Sequence, residues 1–146
     1  MLAALAISAQ AQTRPAERNL TAVSHDVLAA IQNIKNHTSS LLKELEKKQP
    51  DRQAVRQQAE QAVALAKQIR KLIEELDAFY TNMPEAQQSA LRRSWSVATI
   101  LNGCMESAVD SLAGTVDAVL GEIRTGVECA DRRAGQLEEV LAPFRR

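Results

Sequence analysis

Aromatic side chains are almost missing from this chain. One Trp, one Tyr and two Phe offer no platform on which successive nucleic-acid bases would stack. Net charge is missing as well. Eighteen basic and eighteen acidic residues cancel, so no overall field draws in a phosphate backbone or an anionic bilayer. Together these absences argue against a nucleic-acid partner. No stretch approaches the ~20 consecutive apolar residues of a membrane-spanning helix, so no span is expected.

Signatures of catalysis are equally scarce. His25 and His37 are the only histidines, and neither belongs to a Glu-x-x-His pair of the kind that builds di-iron bundles. No Cys/His cluster has zinc spacing, and no Cys-x-x-Cys-His run could attach haem. A glycine-rich phosphate loop and a G-x-S-x-G elbow are both missing. Glu74-Glu75-Leu76-Asp77 and Glu138-Glu139 read as solvated helix faces. The expectation is therefore no metal, no cofactor, no catalytic residue and no enzyme.

What remains is helical. The chain has 146 residues, 45% of them hydrophobic, with five Gly and four Pro, which is enough for one domain with a core. Val27, Ile31, Ile34, Leu41 and Leu45 recur at helical steps, with Thr38 in the one polar slot. Pro50-Asp51 then restarts a helix. Val55, Ala59, Ala62, Ala66, Ile69, Ile73, Leu76 and Tyr80 alternate steps of four and three, a heptad seam for helices packed at a shallow angle. Alanine lines its first half, so a neighbour can come close there. Thr81-Asn82-Met83-Pro84-Glu85 interrupts that helix, with a cap residue, Pro near N1 and an acid in the first turn.

A third stripe joins Leu91, Ser94, Ala98, Leu101, Met105, Ala108 and Leu112. Beyond it, the same phase would bury Glu122 and Arg133. Shifting by one residue restores an apolar series: Val116, Leu120, Ile123, Val127, Ala130, Ala134, Leu137, Leu141 and Phe144. The slip falls at Gly114, a residue type that ends helices without steric cost. A break there, with Thr115 as the next cap and Asp117 in the first turn, gives segments 20–48, 52–80, 84–113 and 115–142. The fold class expected is all-α, an antiparallel up-down four-helix bundle. The alternative is a three-helix rod with one very long C-terminal helix, because a continuous coil can absorb a one-residue skip. Gly121 and Gly126 are further weak points in the last segment.

Residues 1–14 stand apart from the bundle domain of residues 15–146. Met1 to Gln12 is apolar and carries Ala9-Gln10-Ala11, the A-x-A form of a signal cleavage site, but no basic residues precede it. It reads as a signal-peptide remnant or as an alanine-rich extension. Thr13-Arg14-Pro15 offers an early helix start. The chain is exported or periplasmic if residues 1–11 are a truncated signal peptide, and cytoplasmic otherwise.

Cys104 and Cys129 bear on the same choice. On one straight helix they would lie roughly 37 Å apart at ~1.5 Å per residue, too far for a disulfide. Their midpoint falls between Val116 and Asp117, so a hairpin centred there brings them level. A disulfide and a pair of ordinary thiols are both open readings.

Two short stretches resemble known families. Ser24-His25-Asp26, followed by Ile31 and Ile34, resembles the phospho-accepting helix of histidine-kinase dimerisation domains. That resemblance implies His25 as phospho-acceptor and Asp26 as its orienting base. Ala29 and Ala30 stand where that family has proline. Cys104 to Leu112 resembles, over nine residues, a helix of the plant invertase and pectin-methylesterase inhibitors, which are exported, disulfide-bonded four-helix bundles. That family's N-terminal cysteine pair has no counterpart here.

Asn19-Leu20-Thr21 and Asn36-His37-Thr38 match the glycosylation sequon. Trp95, flanked by Ser94 and Ser96, reads as a core residue at the bundle edge or as an anchor for a partner. The function expected is non-enzymatic: an adaptor, assembly or structural subunit acting through protein–protein contacts, with a protein partner or as a homo-oligomer. A lipid-surface protein with amphipathic helices and a phosphotransfer domain using His25 are the alternatives.

Overall fold

We describe residues 19–112 and 118–145 of a computed structural model, with the backbone alone for residues 118 and 119. Among the described residues there are helices and no strands. Helix α1 spans Leu20–Leu45, α2 Arg52–Asp77, α3 Glu85–Ser111 and α4 Ala118–Val140. Short 3-10 turns follow at Tyr80–Asn82 and Ala142–Phe144.

Each start has a local cause. The Asn19 side chain accepts from the Ala22 N–H at 2.8 Å, and Asp51 Oδ1 accepts from Gln53 and Ala54 at 3.0 and 3.3 Å. Both satisfy donors that the first turn leaves orphaned. Helix α3 instead begins at Pro84, with no side-chain cap. Thr81 and Asn82 lie in the 3-10 turn before it, and Pro84, expected near N1, takes the cap position itself. The helices also end earlier than the stripes suggest. Lys47 and Lys48 lie beyond the end of α1, because the chain must leave helical geometry before Pro50. Tyr80 has left α2 altogether, since that chain tightens into 3-10 geometry after Asp77.

Each helix packs on the two beside it, in the cyclic order α1, α2, α3, α4 and back to α1. Cross-links between neighbours give the directions. Thr38 meets Asp131 and Lys35 meets Glu138 across α1 and α4. Ser111 meets Glu122 and Gln87 meets the Pro143 carbonyl across α3 and the α4 end. In each pair of helices one number rises as the other falls, so neighbours are antiparallel. This is the up-down-up-down bundle. A rod through Gly114 is excluded by the packing of α3 on α4, although Gly114, Thr115, Val116 and Asp117 themselves lie outside the described residues. So do residues 1–18, including the Thr13–Pro15 start. Helix α4 runs unbroken through Gly121 and Gly126.

The stripes form the core. Val27, Ile31, Ile34, Leu41, Val55, Ala59, Ala62, Ala66, Ile69, Leu101, Met105, Ile123, Val127 and Leu137 are all essentially inaccessible. Burying each larger side chain contributes about 1.5–3 kcal/mol. Thr38 fits its apolar surroundings because its hydroxyl lies 2.7 Å from Asp131 Oδ1 and 3.1 Å from the Lys35 carbonyl. The buried Ser94 hydroxyl likewise donates to the Leu91 carbonyl at 2.6 Å.

Candidate functional site

Two arginines tie one end of the bundle. Arg124 of α4 donates to the Leu45 carbonyl at 2.8 Å, and Arg56 of α2 donates to the Leu112 carbonyl at 3.3 Å. Each puts a cation at the negative end of a neighbouring helix. At the opposite end Gln88 donates to the Tyr80 carbonyl at 2.7 Å. There the Arg92 guanidinium lies 5.7 Å from the Tyr80 ring centroid, and it donates to the Tyr80 hydroxyl. These contacts set the ends of the bundle.

Between α3 and α4 the helices approach closely. A Cβ on Gly126 would lie 2.9 Å from Ala108 Cβ and 3.0 Å from the Cys104 carbonyl oxygen, so only glycine fits without pushing the helices apart. Beside this contact Cys104 and Cys129 are bonded, with Sγ atoms 2.00 Å and Cα atoms 5.9 Å apart. The Cα spacing lies within the range that a disulfide spans.

Outside the contact runs a groove of about 640 Å³. Ile100, Gly103, Cys104, Ser107, Thr125 and Cys129 are among its lining residues, and its surface is mainly apolar. Ile100 is 42% exposed, the only exposed large hydrophobic side chain among the described residues. Gly103 has the opposite character to Gly126. A Cβ there would meet nothing within 4 Å, so internal packing does not require glycine. An exposed helical glycine costs about 0.5–1 kcal/mol relative to alanine.

Trp95 lies outside this groove. It is half-buried and packs against the core. His25 is 82% exposed, with Nδ1 at 3.7 Å from Asp26 Oδ1. It lines a second hollow of about 290 Å³ with Leu20, Ser24, Leu28, Gln87 and Phe144. The residues that sequence reasoning singled out thus fall in three places. Cys104 and Cys129 come together in the groove, whereas Trp95 and His25 lie elsewhere. Ile100 and Gly103 were missed. The available signal was an isoleucine one position off the Ala98-Leu101 stripe, followed by an in-helix glycine.

Of the two sequons, Asn19 uses its side chain to cap α1, and the exposed Asn36 accepts from Gln32 at 3.3 Å. Among the described residues no group of three or more His, Cys, Asp or Glu side chains converges as a metal site would. No described helix is long and apolar enough to cross a membrane. No protein-family model, curated protein or solved structure matches the chain.

Proposed function

We propose that this chain is a non-enzymatic helical bundle that acts through protein–protein contacts, with the α3–α4 groove as its docking face. One observation carries the reading. The only exposed large hydrophobic among the described residues, Ile100, lines the mainly apolar groove, beside a glycine that the fold itself does not need. Apolar surface gains free energy when a partner removes it from water. A glycine lets a partner backbone come close enough to do so. Isolated exposed apolar residues are common on protein surfaces. What separates Ile100 is its position in a concave, small-residue surface.

A photo-crosslinking residue placed at Ile100, with a control at the exposed Gln57 on α2, tests the reading in the cell of origin. Discrete protein adducts are expected from position 100 and none from position 57. Equal yields from the two positions, or none from position 100, would reject the groove as a docking face.

A further inference from the structure

We infer that the Cys104–Cys129 bond is a thiol–disulfide exchange site, opened in the folded protein by a small thiol that enters the α3–α4 groove and attacks the sulfur of Cys104. The inference concerns the chemistry of the groove floor and does not rest on the docking reading.

A disulfide withdrawn into a core is reduced only when the chain opens. This one is placed otherwise. Both cysteines are half-buried, and both line the groove. The residues beside them on its surface are small: Gly103 and Ser107 on α3, Thr125 and Gly126 on α4. At about 640 Å³ the groove falls within the size range of small-molecule sites. A reagent of a few heavy atoms therefore reaches the bond through space that the fold already provides.

Exchange proceeds by attack of a thiolate on one sulfur while the other sulfur leaves. The nucleophile must come from beyond the sulfur it attacks, roughly in line with the bond. Beyond Cys104 lies α3, where Gly103 has no side chain and a Cβ would meet nothing within 4 Å. Beyond Cys129 lies α4, where the branched Thr125 stands one turn away on the groove wall. The open approach is to Cys104.

The incoming thiol gives its proton to water, and its thiolate bonds to Cys104 Sγ. The Cys104–Cys129 bond breaks, its electron pair leaves on Cys129 Sγ, and that thiolate takes a proton from water. A second thiolate then attacks the sulfur of the first. This releases the small disulfide and leaves Cys104 as a thiolate, which is protonated in turn. Two small thiols are oxidised to one disulfide, and the protein disulfide is reduced to two thiols.

The fold keeps the reduced pair in place. The Ala108–Gly126 contact, one turn away, and the buried Leu101, Met105, Ile123 and Val127 hold α3 beside α4 without the bond. The cysteines stay on facing helices at positions whose Cα atoms lie 5.9 Å apart when bonded. A small disulfide can therefore close the bond again by the reverse sequence.

The test uses the oxidised full chain in buffer without denaturant, with β-mercaptoethanol as the thiol. The remaining disulfide is counted after acid quenching, and circular dichroism follows helicity. Wild type should be reduced without loss of helicity. Asp51→Ala weakens the fold from the other hairpin and should react at the wild-type rate, whereas reduction through the unfolded chain would run about fivefold faster. Gly103→Leu should slow the reaction on the order of tenfold, because the rate depends on access to the sulfur. Gly103→Ala, which raises helix propensity in the same way but leaves the groove open, should stay near wild type. Early quenching with iodoacetamide should trap the small thiol on Cys104 and the alkyl group on Cys129, as read by peptide mass spectrometry.

A bond that resists the thiol until denaturant is added overturns the inference, and so does reduction that accelerates in Asp51→Ala. Helicity that collapses as the bond opens overturns it as well. Reduction indifferent to Gly103→Leu reaches the bond by another route and rejects entry through the groove. An adduct trapped on Cys129 rejects attack at Cys104.

Discussion

The α1–α2 and α3–α4 hairpins have the same shape and are held together differently. In the first, closure is electrostatic and local. Glu44 accepts from the Asp51 N–H at 3.0 Å and pairs with Lys47, and Asp51 in turn caps α2. In the second, closure is covalent and steric: a disulfide beside a helix contact that admits only glycine. Their outer surfaces differ in the same sense. The described part of the first hairpin exposes no large apolar side chain, whereas the second carries Ile100, the open Gly103 and the groove. The lesson is that an open groove profits from support that lies elsewhere. A helix pair fixed by a covalent bond and a tight seam can hold a groove open.

Experiments that break this contrast rank by size. The largest effect should come from the disulfide. Replacing Cys104 and Cys129 by serine releases a loop with a sequence separation of 25, which in the chain-entropy account costs about 3–4 kcal/mol. Urea unfolding of the double variant measures that loss, and a thiol count on denatured, unreduced wild type should find no free cysteine.

Next comes the pair of glycines. Gly126→Ala forces a methyl group onto Ala108 and the Cys104 carbonyl and should destabilise by about 1–3 kcal/mol. Gly103→Ala should instead stabilise the single chain by about 0.5–1 kcal/mol through helix propensity. Thermal melts of both at low concentration give the two signs, and equal effects would remove the steric distinction between the seam and the groove.

In the first hairpin Asp51→Ala should cost about 1 kcal/mol, the usual worth of an N-cap. It should leave the α3–α4 groove unaltered.

The smallest effect concerns pH. The hydrogen bond from Lys47, followed by that from the Asp51 N–H, holds the Glu44 carboxyl below its ordinary range. A depressed folded value means that the contribution is present above the unfolded pKa and is lost as pH falls through the folded one. The stability difference between wild type and Glu44→Gln should therefore shrink on acidification below the usual glutamate range. A difference that is independent of pH would show that Glu44 does not couple the loop to protonation.

Much of the architecture was legible in the residues, for reasons that can be named. Val55, Ala59, Ala62, Ala66, Ile69 and Ile73 repeat with the period of a helix face, and all are buried. The one-residue slip pointed to a change of helix because a straight helix whose stripe shifts phase turns part of it away from the core, although a continuous coil can absorb such a skip. The packing of α3 on α4 shows that the chain reverses between Leu112 and Ala118, the first of the two readings that the slip left open. Helix ends were less legible. Propensity changes gradually along Glu44 to Lys48, whereas the hydrogen-bonded turn ends at one residue.

The candidate site was hardly legible. Trp95, read as a core residue at the bundle edge or as an anchor, lies half-buried against the core and outside the groove. Ile100 looked unremarkable because an apolar residue beside an apolar stripe belongs to the core or to water according to the rotation of its helix. That rotation is set by neighbours distant in sequence.

Composition and periodicity alone determined that this protein is a set of amphipathic helices with chain breaks near Pro50 and Pro84, and left a break or a continuous rod open at Gly114. Local hydrogen bonding and side-chain period suffice for that. Only tertiary structure decided that α3 lies against α4 with Gly126 at the contact, that Cys104 stands level with Cys129, and that Ile100 faces outward over a glycine. Those facts depend on the rotation and height of one helix relative to another, and packing of the whole core sets both.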